Sequence, residues 1–134
     1  MEISTFADLL QAARYQSLPQ RLLFVFAGTE LPSDASAEQR VQFDAGRGGA
    51  LVPLMCVDKS PQELDSFDAL KREADQFGQP WVMVFAAAIS GTVGQAPAAA
   101  DVEQALRRMV EAIKQGEMAG FIPFDPQGFT VHFD

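Results

Sequence analysis

Three uninterrupted apolar runs alternate with stretches in which apolar residues recur every three or four positions, and this contrast organises the chain. Phe6, Leu9, Leu10 and Ala13 share one face of a predicted helix that opens at Thr5, with Asp8 three residues on, and reaches about Gln16 before Pro19. Leu22 to Ala27 is then six apolar residues in a row, rich in aromatic and branched side chains and stopped by Gly28. Such a run predicts a buried strand. Ser36 and Gln39 form a capping pair for a short helix to Gly46, whose apolar face of Ala37, Val41 and Ala45 is thin.

The second run, Leu51 to Val57, follows the cluster Gly46-Arg47-Gly48-Gly49 and contains Pro53. A proline there must lie near the strand's start or on an unpaired edge. Ser60-Pro61-Gln62-Glu63 is the strongest helix start in the chain: a cap, a proline at the first helical position and an acid able to reach back to the cap amide. The helix it opens carries Leu64, Phe67, Leu70, Ala74 and Phe77 on one face and stops at Gly78 and Pro80. Trp81 to Ile89 is the third run, closed by Ser90-Gly91-Thr92-Val93-Gly94. Beyond an Ala/Pro-rich connector, Asp101 and Gln104 cap a helix whose Val102, Ala105, Leu106, Met109, Val110 and Ile113 make the most regular stripe present. Phe121 to Phe124, a turn at Asp125-Pro126-Gln127-Gly128, and Phe129 to Phe133 read as a hairpin with Phe129, Val131 and Phe133 on one face.

Near-continuous hydrophobicity suits strands covered on both faces, and alternating helices and strands suit parallel crossovers. The expected fold is one α/β domain over residues 1–134: a layered, mainly parallel sheet of about three strands with flanking helices and a C-terminal hairpin. Trp81 to Phe85 is its expected central strand, beneath the helices bearing Leu64, Phe67 and Leu70 and Val102, Leu106 and Met109.

Composition narrows the partners. The 134 residues are 48% hydrophobic and 21% charged, ordinary usage for a chain with one core. Eighteen acidic against ten basic residues give a net charge of −8, which repels phosphate backbones and anionic bilayers, so neither nucleic acid nor membrane is an expected partner. The longest apolar run, Trp81 to Ile89, is half or less of a spanning helix. Met1 to Asp8 lacks the basic start and long apolar stretch of an export signal, and Cys56, the only cysteine, has no partner for an internal disulfide. A cytoplasmic location is expected on these grounds.

Candidate chemistry is sparse. Cys56 sits inside an apolar strand with no cationic neighbour in sequence, which predicts a buried packing residue rather than a reactive thiolate. His132, the only histidine, alternates opposite the apolar face of the last strand, so it is expected in solvent rather than as a general base. One histidine and one cysteine cannot build a structural zinc site, and no metal or cofactor is expected. Ser90 to Gly94 and Gly46 to Gly49 fit neither phosphate-binding glycine motif and read as turns. The least ordinary feature is positional, because ligands of an open parallel sheet lie beyond the carboxyl ends of its strands. Glu30, Asp58, Lys59, Ser90 and Thr92 occupy those ends, and parallel neighbours would gather them on one rim around the helix start at Ser60, fit for a small polar ligand.

Gly48-Gly49-Ala50-Leu51-Val52-Pro53-Leu54-Met55-Cys56-Val57-Asp58-Lys59, Trp81-Val82-Met83-Val84-Phe85 and Met109-Val110-Glu111-Ala112-Ile113-Lys114 resemble a family of small bacterial proteins often labelled ribonucleotide reductase alpha subunit. The resemblance covers nearly the whole chain and implies no established activity. Ribonucleotide reduction requires a thiyl-forming cysteine and a separate reducing pair on a much larger barrel. Cys56 stands alone, so no catalytic residue carries over and the label reads as a misnomer.

Two functions remain. The first is a non-catalytic module, regulatory or protein-binding, that takes a protein partner or another copy of itself; the absence of a catalytic constellation and the eleven phenylalanines support it. The alternative is a small enzyme or ligand sensor in which a rim carboxylate acts as base and Lys59 holds an anion.

Overall fold

One strand sits inside everything else. β1 (Gln20–Glu30) runs through the middle of the molecule, and each residue from Leu22 to Ala27 is at most 1% exposed. Strand geometry sends Leu22, Phe24 and Phe26 to one face and Leu23, Val25 and Ala27 to the other, and each set joins a separate core. The computed structural model describes residues 3–30, 36–44 and 50–132.

Around β1 the sheet is completed by β2 (Ala50–Lys59), β3 (Met83–Ser90) and β4 (Ile122–Phe124) in the order β2-β1-β3-β4. Every neighbouring pair is antiparallel. The helices are α1 (Phe6–Arg14), α2 (Ala37–Asp44), α3 (Phe67–Asp75) and α4 (Ala99–Lys114). The first core places Phe6, Leu9 and Leu10 of α1 and Leu70 and Ala74 of α3 on the face of Phe24 and Phe26; the second places Val102, Met109 and Ile113 of α4 on the face of Val25 and Phe85. The order is therefore helices, sheet, helix.

The mainly parallel sheet expected from the element order is not found. A parallel neighbour requires a helix that packs back on the sheet between the two strands. Among the described residues the only helix between β1 and β2 is α2, and Ala37 to Val41 all lie in solvent. With nothing to cross over the sheet, β2 turns back beside β1. The crossover logic does hold one strand further on: β2 and β3 both oppose β1, so they share a direction, and α3 carries the chain from one to the other across β1. Trp81 and Val82 precede β3, yet β3 is an interior strand flanked by β1 and β4.

The local signals for helix starts and turns are realised in part. The Thr5 and Asp8 box is formed, with the Asp8 amide donating to Thr5 Oγ1 and the Ser4 and Thr5 amides donating to the Asp8 carboxylate at 3.0 and 3.2 Å. Ser36 and Gln39 close an equivalent box ahead of α2. The Ser60 and Glu63 box also closes, but it holds a single turn, and α3 begins afresh at Ser66, whose hydroxyl accepts from the Ala69 amide. Asp65 and Ser66 favour capping over helix interiors, and Arg14 of α1 fixes the break by donating to the carbonyls of Pro61 and Leu64. Phe77 consequently falls past the helix end and is 58% exposed. The C-terminal hairpin is half realised. Gly128, at φ +87°, closes the turn after Asp125, but among the described residues the returning arm makes isolated bridges, Phe129 to Thr5 and Thr130 to Phe124, rather than a strand. Phe129 is exposed, while Phe133, Ala45 and Gly46 lie outside the described residues.

Phe6 ties this together. Its ring stands 5.6 Å from that of Phe24, 5.0 Å from Phe67 and 5.4 Å from Phe124, so one side chain joins α1, β1, α3 and β4.

Two outcomes are expected. Phe85→Ala, which empties a fully buried site on the α4 face, should lower stability in urea melts by about 3–5 kcal/mol, and Leu106→Ala, only half-buried, by less. The amides of Ser4 and Thr5 hold the Asp8 carboxyl below its ordinary value of 3.8. A depressed carboxyl stabilises the fold above that ordinary value and stops doing so as pH falls through its lowered one. The melting temperatures of the native chain and of Asp8→Asn should therefore converge below about pH 4 and separate above it, with the native chain higher.

Candidate functional site

Antiparallel pairing takes the expected rim apart. Asp58 and Lys59 at the end of β2 pair with Leu23 and Leu22 near the start of β1, and Ser90 at the end of β3 pairs with Gln20. Glu30 pairs with Ala50 at the other end of the sheet, about 26 Å away along the strand. Asp58 and Lys59, being adjacent in a strand, point to opposite faces. Asp58 accepts from Arg21 Nε at 2.7 Å on the α4 side, and Arg21 also reaches Glu63 at 3.4 Å; Lys59 meets Glu73 of α3 at 2.9 Å. Ser90 Oγ accepts from the Gln20 side chain at 2.8 Å. Thr92 and Gln95 exchange both backbone hydrogen bonds, and a Cβ on Gly91 would come within 2.0 Å of the Gln95 carbonyl. Thr92 and Gln95 thus close a tight turn over Gly91, whose own amide donates to the Pro19 carbonyl at 2.8 Å. Gly46 to Gly49 lies outside the described residues.

A different pair of elements, α4 and β2, forms a concavity with chemistry along it. α4 lies over β1 and β2 and leaves a strip open beside Cys56 and Asp58 of β2. The strip left open is a groove of two adjoining parts. One, about 440 Å³, is lined by Cys56, Glu103, Leu106, Arg107, Val110 and Glu111; the other, about 340 Å³, continues past Glu103 and Leu106 to Arg21, Asp58 and the connector at Ala96 and Pro97. Its floor is the edge strand β2, which among the described residues is paired on one side only. Its walls are apolar at Leu106 and Val110, and its rim charges neutralise one another, Glu103 with Arg107 along the helix and Asp58 with Arg21 across the sheet.

Cys56 is exposed in this groove, against the expectation of burial. The reason is the strand order: Cys56 lies on the edge strand, on the face opposite Met55 and Val57, in the groove that α4 leaves open. His132 is exposed, as expected. Among the described residues, no three His, Cys, Asp or Glu side chains group as they would around a metal, and no helix is long and apolar enough to cross a membrane.

A second depression, about 290 Å³, lies between the start of α1, residues 65–67 and the turn at Gly128. Phe6, Phe67 and Phe129 supply its surface, and its two hydroxyls, Thr5 and Ser66, are occupied in capping. The side chains of Asp65 and Gln127 complete its lining, both exposed to solvent.

Sequence reasoning missed Arg21, Leu106, Arg107 and Val110 as parts of a site. A signal was present: Val102, Met109 and Ile113 alone make a buried line, so Leu106 and Val110 widen the stripe beyond what the sheet covers. Pro53 marks the strand beside them as an edge.

A bulky maleimide is accordingly expected to label Cys56 in the native chain at close to the rate of the unfolded chain, read by mass spectrometry over time; protection of a hundredfold or so would mean a covered groove. The chain matches no known family model, no curated protein and no solved structure.

Proposed function

We propose that this protein is a protein-interaction module whose contact surface is the groove between β2 and α4. The observation that carries the reading is the outer edge of β2, unpaired among the described residues, beside an apolar wall. β2 runs from Ala50 to Val57 without a charged side chain, and the charges that follow, Asp58 and Lys59, are held within the chain by Arg21 and Glu73. Edge strands in soluble proteins ordinarily carry charges or are covered, since their unpaired amides and carbonyls recruit another chain. Leu106 and Val110 line the groove together with Cys56 of that edge, an apolar surface on which side chains of an added segment can pack. The rim charges leave the groove close to neutral within a chain of net charge −8, which supports recognition by shape and apolar contact.

Small-molecule catalysis has less behind it. Asp58, Lys59 and Ser90 are engaged in structural pairs and Glu30 is at the far end of the sheet, so no base and anion holder converge. Ribonucleotide reduction, with its three cysteines, has no part in the reading.

A photoreactive amino acid placed at Cys56 tests it. In living source cells it is expected to give protein crosslinks that the same residue at Asp68, exposed on α3 in the opposite layer, does not give. Equal yields at the two positions would overturn the proposal.

A further inference from the structure

We infer that the occupant of the β2–α4 groove is a second copy of this chain, docked across a two-fold axis normal to the sheet. The inference rests on the interaction reading above and names the partner. Three observations carry it.

The first is electrostatic. Glu103, Arg107, Glu111 and Lys114 follow one another at spacings of four, four and three, forming a single stripe of alternating sign along α4, and its first three members line the groove. A row of signs minus, plus, minus, plus read backwards is its own complement. An antiparallel second α4 sets Arg107 against Glu111 of the other copy twice, and Glu103 against Lys114 twice. A chain of net charge −8 otherwise repels its copies, so a locally self-complementary row is the place where two of them can meet.

The second is spacing. α4 contacts both β2 and β1, so we place its axis between the two strands, roughly half a strand spacing inside β2. A two-fold through the open edge lies half a spacing outside it. With strands about 4.8 Å apart, the two α4 helices then stand about 10 Å from each other, the distance at which helices pack. Leu106 and Val110, half-buried in the single chain, face the gap.

The third is the edge itself. Its uncharged stretch lets two copies of β2 approach antiparallel. Pro53 and the extra residue Leu54 confine backbone pairing to the stretch from Met55 onward. Cys56, which faces Glu103 to Glu111, comes close to the axis.

Sedimentation of the native chain at micromolar concentration, with a short bis-maleimide to join Cys56 to Cys56 by thiol addition, tests the inference. A dimer carrying that single crosslink is expected. Arg107→Glu and Glu111→Arg each place like charges across the axis twice and should each weaken self-association by about tenfold or more. Mixed together they restore both pairs, so a heterodimer of native affinity should form, which a merely unfolded variant would not give. A native chain that stays monomeric, or a dimer indifferent to both charge reversals, overturns the inference. A monomer that still crosslinks to another protein from Cys56 removes the second copy and leaves the groove as an interaction surface; a monomer with no such crosslink removes both.

Discussion

Burial of β1 on both faces from Leu22 to Ala27 is the constraint on which the rest of the molecule depends. A strand whose residues from Leu22 to Ala27 are apolar on both faces must have a roof on each side and a neighbour on each edge. α1 and α3 supply one roof, α4 the other, and β2 and β3 the two edges. Phe6 shows how tightly these are linked, since its ring touches residues of β1, α3 and β4 while its amide donates to the Gly128 carbonyl at 2.8 Å. Moving α1 therefore disturbs the C-terminal turn, β4 and the central strand together.

Covering β1 leaves β2 incompletely covered. On the α1 and α3 side, Met55 and Val57 pack against the core and Lys59 bridges to Glu73. On the α4 side, Asp58 is held by Arg21 while Cys56 is bare. Two consecutive residues, Asp58 and Lys59, thus clamp the end of the strand from opposite faces. Because each pair is about one-third exposed, its contribution is of the order of a surface ion pair, roughly 1 kcal/mol or less, and its main effect is to fix where the strand ends.

Element positions were legible in the sequence because local chemistry fixes them. Runs of apolar residues gave β1, β2 and β3, and the caps at Thr5 and Ser36 gave α1 and α2. Strand direction was not legible, because a continuous apolar run reports coverage on both faces and says nothing of which way the neighbours run. The thin face of Ala37 and Val41 held the missing information: a helix that cannot pack on the sheet cannot serve as a crossover, so the strand after it must return antiparallel. The rim failed with the direction, since Glu30, Asp58 and Ser90 share an end only in a parallel sheet. Ser60 failed for a local reason, because a satisfied capping box fixes one turn and cannot compel a second when Asp65 and Ser66 offer a better start.

How β2 is shaped at its edge follows from one close contact. The register between β1 and β2 shifts between Phe26 and Ala27, leaving Leu54 as an extra residue beside Pro53. A Cβ on Gly28 would come within 2.9 Å of both the Leu54 side chain and the Pro80 carbonyl, so the bulge closes over β1 only because residue 28 has no side chain. The bulge and the proline together spoil the ladder on the outer side of the strand's first half, one of the ordinary ways an edge is kept from recruiting other chains. Beyond Met55 the strand is regular again and carries no such guard until Asp58. The open edge is therefore restricted to the few residues that lie beside Leu106 and Val110, and the protection of one half of β2 is what gives the other half a defined surface.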